Sequence, residues 1–142
     1  MKFGLLLALG ITLAVGTEKS QGVEELQGTW MLVAGEVDGK ALAADELHGA
    51  KLTIDGDRYT VTLADRGTVR GIERLDPTSE PKTIDVTDDN GPNQGRTCLG
   101  IYEVNGDEFR VAFAMPGKPR PTSFQTVADS GQWTHVWVRV KP

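Results

Sequence analysis

The chain has 142 residues, 20 Asp and Glu against 15 Lys and Arg, a formal charge of −5 and a single cysteine. That length predicts one folded domain, and one cysteine excludes an internal disulfide. An acidic balance with no basic block argues against nucleic acid or an anionic membrane as a partner.

The first segment, MKFGLLLALGITLAVG, carries Lys2, an apolar run from Phe3 to about Val15, and small residues at Ala14 and Gly16. The run is too short to span a bilayer comfortably and is followed by polar TEKSQG. Residues 1–16 are therefore expected to be a cleaved signal peptide, which makes the protein secreted or periplasmic. An uncleaved anchor is the alternative. No cysteine follows the run, which argues against a lipid-modified N-terminus. The domain is then expected over 17–142, and loss of Lys2 takes the formal charge from −5 to −6. A chain of that size can bury a real core.

Along the chain, seventeen glycines, turn dipeptides and short alternating runs predict strands. The first spans 28–37. The connection DGKALAADELHGA holds the one helical stretch, over roughly 43–48, with Gly49 as its stop. KLTIDGDRYTVTL predicts a hairpin turning at Asp55-Gly56, pairing Leu52 with Tyr59 and placing Ile54, Val61 and Leu63 on one face. A strand over 67–75 has its apolar residues Val69, Ile72 and Leu75 out of period two, which suggests a bulge or barrel corner at Gly71. Further strands are expected at 82–87 and 132–140, with a short extended run at 122–127.

CLGIYEVNGDEFRVAF, residues 98–113, is the clearest unit. A turn at Asn105-Gly106 pairs Tyr102 with Phe109, Gly100 with Val111, and Cys98 with Phe113. The dry face then carries Cys98, Tyr102, Val104, Phe109, Val111 and Phe113. In WTHVWVRV, Trp133, His135 and Trp137 share one face and Val136, Val138 and Val140 the other, and either face could be the interior.

Mostly sequential hairpins predict an all-β fold: an antiparallel up-and-down barrel of about eight strands, with one short helix in the first long connection. Gly28-Thr29-Trp30 at the first strand resembles the lipocalin Gly-x-Trp. That resemblance implies an inward Trp30 closing one end of the barrel with Arg139 of the last strand packed over it. "LQGTW", "DGK", "KLTIDGDRYTV", "SEPKTIDVT", "DNGPNQG" and "LGIYEVNGDEFRVAFAMPGKPRPTSF" together resemble a family of small secreted bacterial proteins abundant in planctomycetes. That family is defined by a domain of uncharacterised function. The resemblance implies the compartment and a lipocalin-like barrel, but no reaction and no catalytic residues.

Trp30, Tyr59, Tyr102, Phe109 and Phe113 would converge inside such a barrel, as the walls of a pocket for a small apolar or amphipathic ligand. The same rings could equally fill an eight-stranded interior completely. Gly100, inward by register, would leave space. In AMPGKPRPTSF, prolines would hold Lys118 and Arg120 at the barrel mouth, where a cation could orient an anionic ligand. The alternative is that Arg120 is a structural tie to a carboxylate such as Asp85.

Asp85, Asp88, Asp89 and Asn90 lack the ligand spacing of a calcium loop, so no metal is expected. Nor is a cofactor. Cys98 with His48 or His135 would make a poor nucleophile and base, since the thiol lies on the dry face. There is no Gly-x-Ser-x-Gly and no zinc-ligand spacing. A monomeric, non-catalytic binding protein is the leading expectation. A fully packed interaction module of the cell envelope is the second, and an enzyme using Asp85, His135 or Arg120 the third. The leader is directly testable: mass spectrometry of the exported protein should find an N-terminus near Thr17, and a product retaining Met1 would refute cleavage.

Overall fold

Alternating apolar and polar residues become a closed sheet here because a series of tight turns keeps reversing the chain. The computed structural model describes residues 23–64 and 66–142, so the expected leader over 1–16 lies outside the described residues. A helical turn at 23–26 leads into β1 (Gly28–Val37), β2 (Lys40–Ala41), α1 (Ala44–Leu47), β3 (Lys51–Asp55), β4 (Arg58–Leu63), β5 (Gly67–Asp76), β6 (Lys82–Asp88), β7 (Thr97–Asn105), β8 (Glu108–Phe113) and β9 (Trp133–Arg139). From β3 to β9 each strand pairs antiparallel with the next. β1 closes the circle, pairing with β3 along Gly28–Met31 and with β9 along Trp30–Val37. The result is an all-β, lipocalin-like up-and-down barrel of eight strands. Closure leaves no free edge among them, and β2 is a two-residue addition to the far half of β1.

The two best hairpins have the expected faces but not the expected partners. Val104 lies opposite Phe109, Tyr102 opposite Val111 and Gly100 opposite Phe113, while Cys98 lies opposite Val86 of β6. In the earlier hairpin, Ile54 lies opposite Tyr59 and Leu52 opposite Val61. Both loops are Gly-Asp rather than Asn-Gly or Asp-Gly. Gly56 and Gly106 hold φ of 64° and 61° at the first loop position, with no positive φ at Asp57 or Asp107. That is the backbone of a type II′ turn, which wants glycine first. A turn displaced by one residue moves each partner by two, so the faces survive.

Two other expectations are corrected. Pairing of β5 with β4 and with β6 is regular throughout, so Gly71 marks no bulge. Period two simply continues through Gly67, Val69, Gly71, Glu73 and Leu75, placing Glu73 inside and leaving Ile72 outside at 40% exposed. Gly71 serves a close approach instead: a Cβ there would lie 2.3 Å from the Tyr59 hydroxyl. The register irregularity falls on β1 between Leu32 and Ala34. The segment 122–127 forms no strand and belongs to the β8–β9 connection.

That connection, 114–132, folds back over the outer face of β6–β9. Ile101 and Ala112, outward by register, are each 1% exposed beneath it. Ala114 donates to the Leu99 carbonyl at 3.0 Å, the Thr134 hydroxyl to Phe124 at 2.6 Å, and the Arg110 guanidinium lies 5.7 Å from the Phe124 ring. Thr126 bonds Glu36 through both its N–H and its hydroxyl.

The two ends of the barrel differ. Short turns at 56–57, 77–81 and 106–107 gather at one end, where the helical turn 23–26 and Gln27 cap it. Trp30 is fully buried and its Nε1–H donates to the Leu26 carbonyl at 2.9 Å. Arg139, opposite Trp30 in register, sets its guanidinium 4.2 Å over the indole. Its Nη2 donates to Glu25 O at 2.6 Å, its Nη1 to Gln27 O, and its Nε lies 3.5 Å from the Asp107 carboxylate. Gln27 in turn bonds both backbone groups of Gly56. Gly28, Trp30 and Arg139 thus close this end as expected. The long connections, 38–50, 89–96 and 114–132, gather at the other end.

Trp30→Ala should destabilise the fold by about 3–5 kcal/mol, the range for truncating a buried large aromatic. Arg139→Ala should also destabilise, through lost packing and lost carbonyl ties. In a double-mutant cycle read by urea unfolding, the pair should couple by about 0.5–3 kcal/mol. Strict additivity would show that the contact carries no energy of its own.

Candidate functional site

Inward positions of β3, β4, β6, β8 and β9 do not fill the barrel. They enclose a cavity of about 520 Å³. Leu52, Ile54, Val61, Ile84, Val86 and Val111 supply its aliphatic walls, and Tyr59, Phe109, Phe113, Trp133 and Trp137 its aromatic ones. Two glycines make part of this room. Phe113 lies flat over Gly100, where a Cβ would come within 2.6 Å of the ring, and Tyr59 lies likewise over Gly71. Rings seated against the wall in this way stay out of the lumen. Leu32 and Val37 of β1 both face the cavity across the register shift, which rotates the strand between them.

Of the residues anticipated as ligand contacts, Tyr59, Phe109 and Phe113 line this space. Trp30 and Tyr102 lie beneath it. Their rings pack on Phe109 at 5.6 Å and 6.2 Å between centroids, forming the closed base. Neither Lys118 nor Arg120 is in the lining. Lys118 is exposed, its N–H donating to the carbonyl of Met115 at 3.0 Å, while the β8–β9 connection carries Arg120 onto the outside of the wall, where it bonds Asp85 Oδ1 at 2.6 Å and Gly100 O at 2.7 Å. Asp85 faces outward between Ile84 and Val86, so this cation ties the connection to β6 and β7 and does not face the cavity.

The polar lining consists of residues the sequence did not single out as contacts: Glu46, Arg66, Glu73, Asp88, Asn93 and His135. Glu73 sits six residues along β5 from the mouth at Gly67, about 20 Å of strand. It is 8% exposed, and its Oε1 has no hydrogen-bond partner among the described residues. Burial, with the Asp57 carboxylate adding to it, pushes its carboxyl up to about 8. His135, between Trp133 and Trp137 on β9, turns out to face inward, edge-on to Trp137 at 5.4 Å. Burial, helped by the Arg66 charge, lowers its imidazole to about 4, so the ring is neutral at physiological pH.

Tyr59 donates its hydroxyl to Asp88. Burial raises the tyrosine, and the acceptor carboxylate beside it adds to the effect. Asp88 is raised too, by burial against the opposing effect of that bond. Cys98 is 2% exposed and absent from the lining, and burial holds its thiol up at about 11. Among the described residues no group of three or more His, Cys, Asp or Glu could hold a metal ion, and no helix is long and apolar enough to cross a membrane.

Against this geometry, comparison with protein-family models, curated proteins and solved structures returns no match.

The buried Glu73 and the half-buried His135 make opposite contributions to stability. Folded Glu73 keeps a proton that the unfolded chain releases near 4.5, so its contribution is full below that pH and is lost as pH rises to about 8. His135 contributes fully above 6.5 and loses that contribution as pH falls towards about 4. The two slopes oppose between 4.5 and 6.5, leaving Glu73 alone above 6.5. Glu73→Gln, neutral throughout, should gain on the wild type by about 1.4 kcal/mol per pH unit between pH 6.5 and 8. Urea unfolding at a series of pH values measures the gap, and parallel curves would mean that Glu73 ionises as freely folded as unfolded.

Proposed function

We propose that this chain is an exported, non-catalytic binding protein whose barrel holds one small apolar or amphipathic ligand. The observation that carries this is the cavity of about 520 Å³, which lies in the size range of small-molecule sites, roughly 300–1,000 Å³. A barrel serving only as a packed module would fill that volume with side chains, as eight-stranded barrels are able to do. Gly71 and Gly100 do the reverse, letting two rings lie back against the wall. The walls are apolar, the polar groups few and separated, and one end is closed, which together give a ligand one orientation of approach. The buried Cys98 thiol, outside the lining and held at about 11, is a poor nucleophile, which supports binding without turnover.

Straight-chain alcohols provide a charge-neutral probe. Affinity should rise about fourfold per methylene, the equivalent of about 0.8 kcal/mol, until the cavity is full. Because Trp133 and Trp137 line the cavity while Trp30 lies under its base, binding should alter tryptophan emission, and Trp133→Phe should reduce that signal. Native protein that binds no alcohol from hexanol to decanol would show that the cavity admits no ligand.

A further inference from the structure

Glu73 is a carboxyl group left without a partner at a place a ligand would reach. It points inward from β5, is more than nine-tenths buried, and Oε1 makes no hydrogen bond among the described residues. Buried polar atoms nearly always find partners. One left open on a cavity wall is a position whose partner arrives with the ligand.

The surroundings indicate which partner. The Asp57 carboxylate of the β3–β4 turn acts on Glu73 electrostatically, and Glu73 in turn acts on Tyr102 of β7; neither neighbour is basic. Along the same cavity lie Tyr59 of β4, Asp88 of β6, Glu46 of α1 and the neutral His135 of β9. Among the described residues, the one permanently cationic side chain in the lining is Arg66, before β5 at the mouth. The interior below it therefore offers acidic groups and aromatic faces. The negative face of a ring attracts cations, most strongly for Trp, and Trp133 and Trp137 are both on the wall.

Resting on the proposed ligand-binding role, we infer that the barrel selects an organic cation, a primary or secondary ammonium on an apolar body, whose N–H donates to the Glu73 carboxylate. The apolar body lies against the Trp133 and Trp137 faces. The proton balance is explicit: the ammonium keeps its protons and Glu73 releases its own to solvent, so one proton leaves for each ligand bound by the protonated protein. With the empty carboxyl held at about 8, ammonium affinity should fall about tenfold for each pH unit below that value and level off above it. His135 stays neutral through this window and does not contribute to the slope.

The test compares n-octylammonium, n-octanol and n-octanoate by calorimetry on the intact domain. At pH 8.5 octylammonium should bind at least tenfold more tightly than octanol, with octanoate weakest. Between pH 6 and 8 its Kd should fall about tenfold per pH unit while that of octanol stays flat. Titration in two buffers of different ionisation heat, at pH 6.5, should show close to one proton released. Glu73→Gln should bring the octylammonium-to-octanol ratio to within about twofold of one and abolish the pH slope. If octanol or octanoate binds as tightly as octylammonium, or the ammonium shows no pH slope in the wild type, cation selectivity is overturned while the binding role stands. If none of the three binds, both are overturned.

Discussion

Rolling a sheet into a barrel satisfies every strand edge but leaves two open ends, and what happens at those ends decides whether the interior is a core, a channel or a cup. Here the deciding contact is the Arg139 guanidinium over the buried Trp30 ring. A guanidinium is planar, permanently charged and weakly hydrated, so it can lie on an aromatic face while its donors reach elsewhere. Arg139 uses them on the carbonyls of Glu25 and Gln27, which leave the helical turn facing the strand ends. One side chain thus joins the last strand, the first strand and the segment before it. With that end sealed, Phe109 rests on Trp30 and becomes a floor, and space above it is enclosed on all sides but one.

Enclosure changes the chemistry of what faces inward. In water a glutamate would be ionised and a histidine partly protonated near neutrality. On the wall of an apolar cup, removal from solvent penalises the charged form of each, so the acid holds its proton and the base does without one. Glu73 and His135 are therefore both held largely uncharged near pH 7 while still able to bond a guest. Charge is concentrated towards the rim, at Arg66 and Glu46. Such a gradient suits a guest that is mostly hydrocarbon with a single polar group.

What the sequence discloses follows from what is local. β1 was legible to the residue, because the Gly-x-Trp start and the apolar run over 30–34 need no distant information. The hairpin faces were legible for the same reason, but their exact partners were not. In Asp-Gly-Asp and Asn-Gly-Asp the loop can be centred on either side of the glycine, and only tertiary pairing selects. Glu73 was hidden by its own type: a charged residue in an alternating strand reads as solvent-facing, and Ile72 beside it invited the opposite phase. The lining by Trp133, His135 and Trp137 was hidden because both faces of β9 are apolar. Arg120 was misplaced because nothing in a proline-rich loop says whether it arches over a mouth or folds down the outside.

That outward fold has a mechanical consequence. Along β6–β9 the wall is a double layer, with Ile101 and Ala112 sandwiched between sheet and connection and Arg120 tying the two. Along β3–β5 it is a single sheet whose outer face shows the exposed Thr62 and the half-buried Thr68, their hydroxyls 3.0 Å apart. Local opening follows the least-covered structure. The barrel is therefore stiff on one flank and compliant on the other, and β5, which bears Glu73, belongs to the compliant flank. A guest too wide for the mouth would be admitted by that flank yielding while the tryptophan-bearing flank keeps its shape.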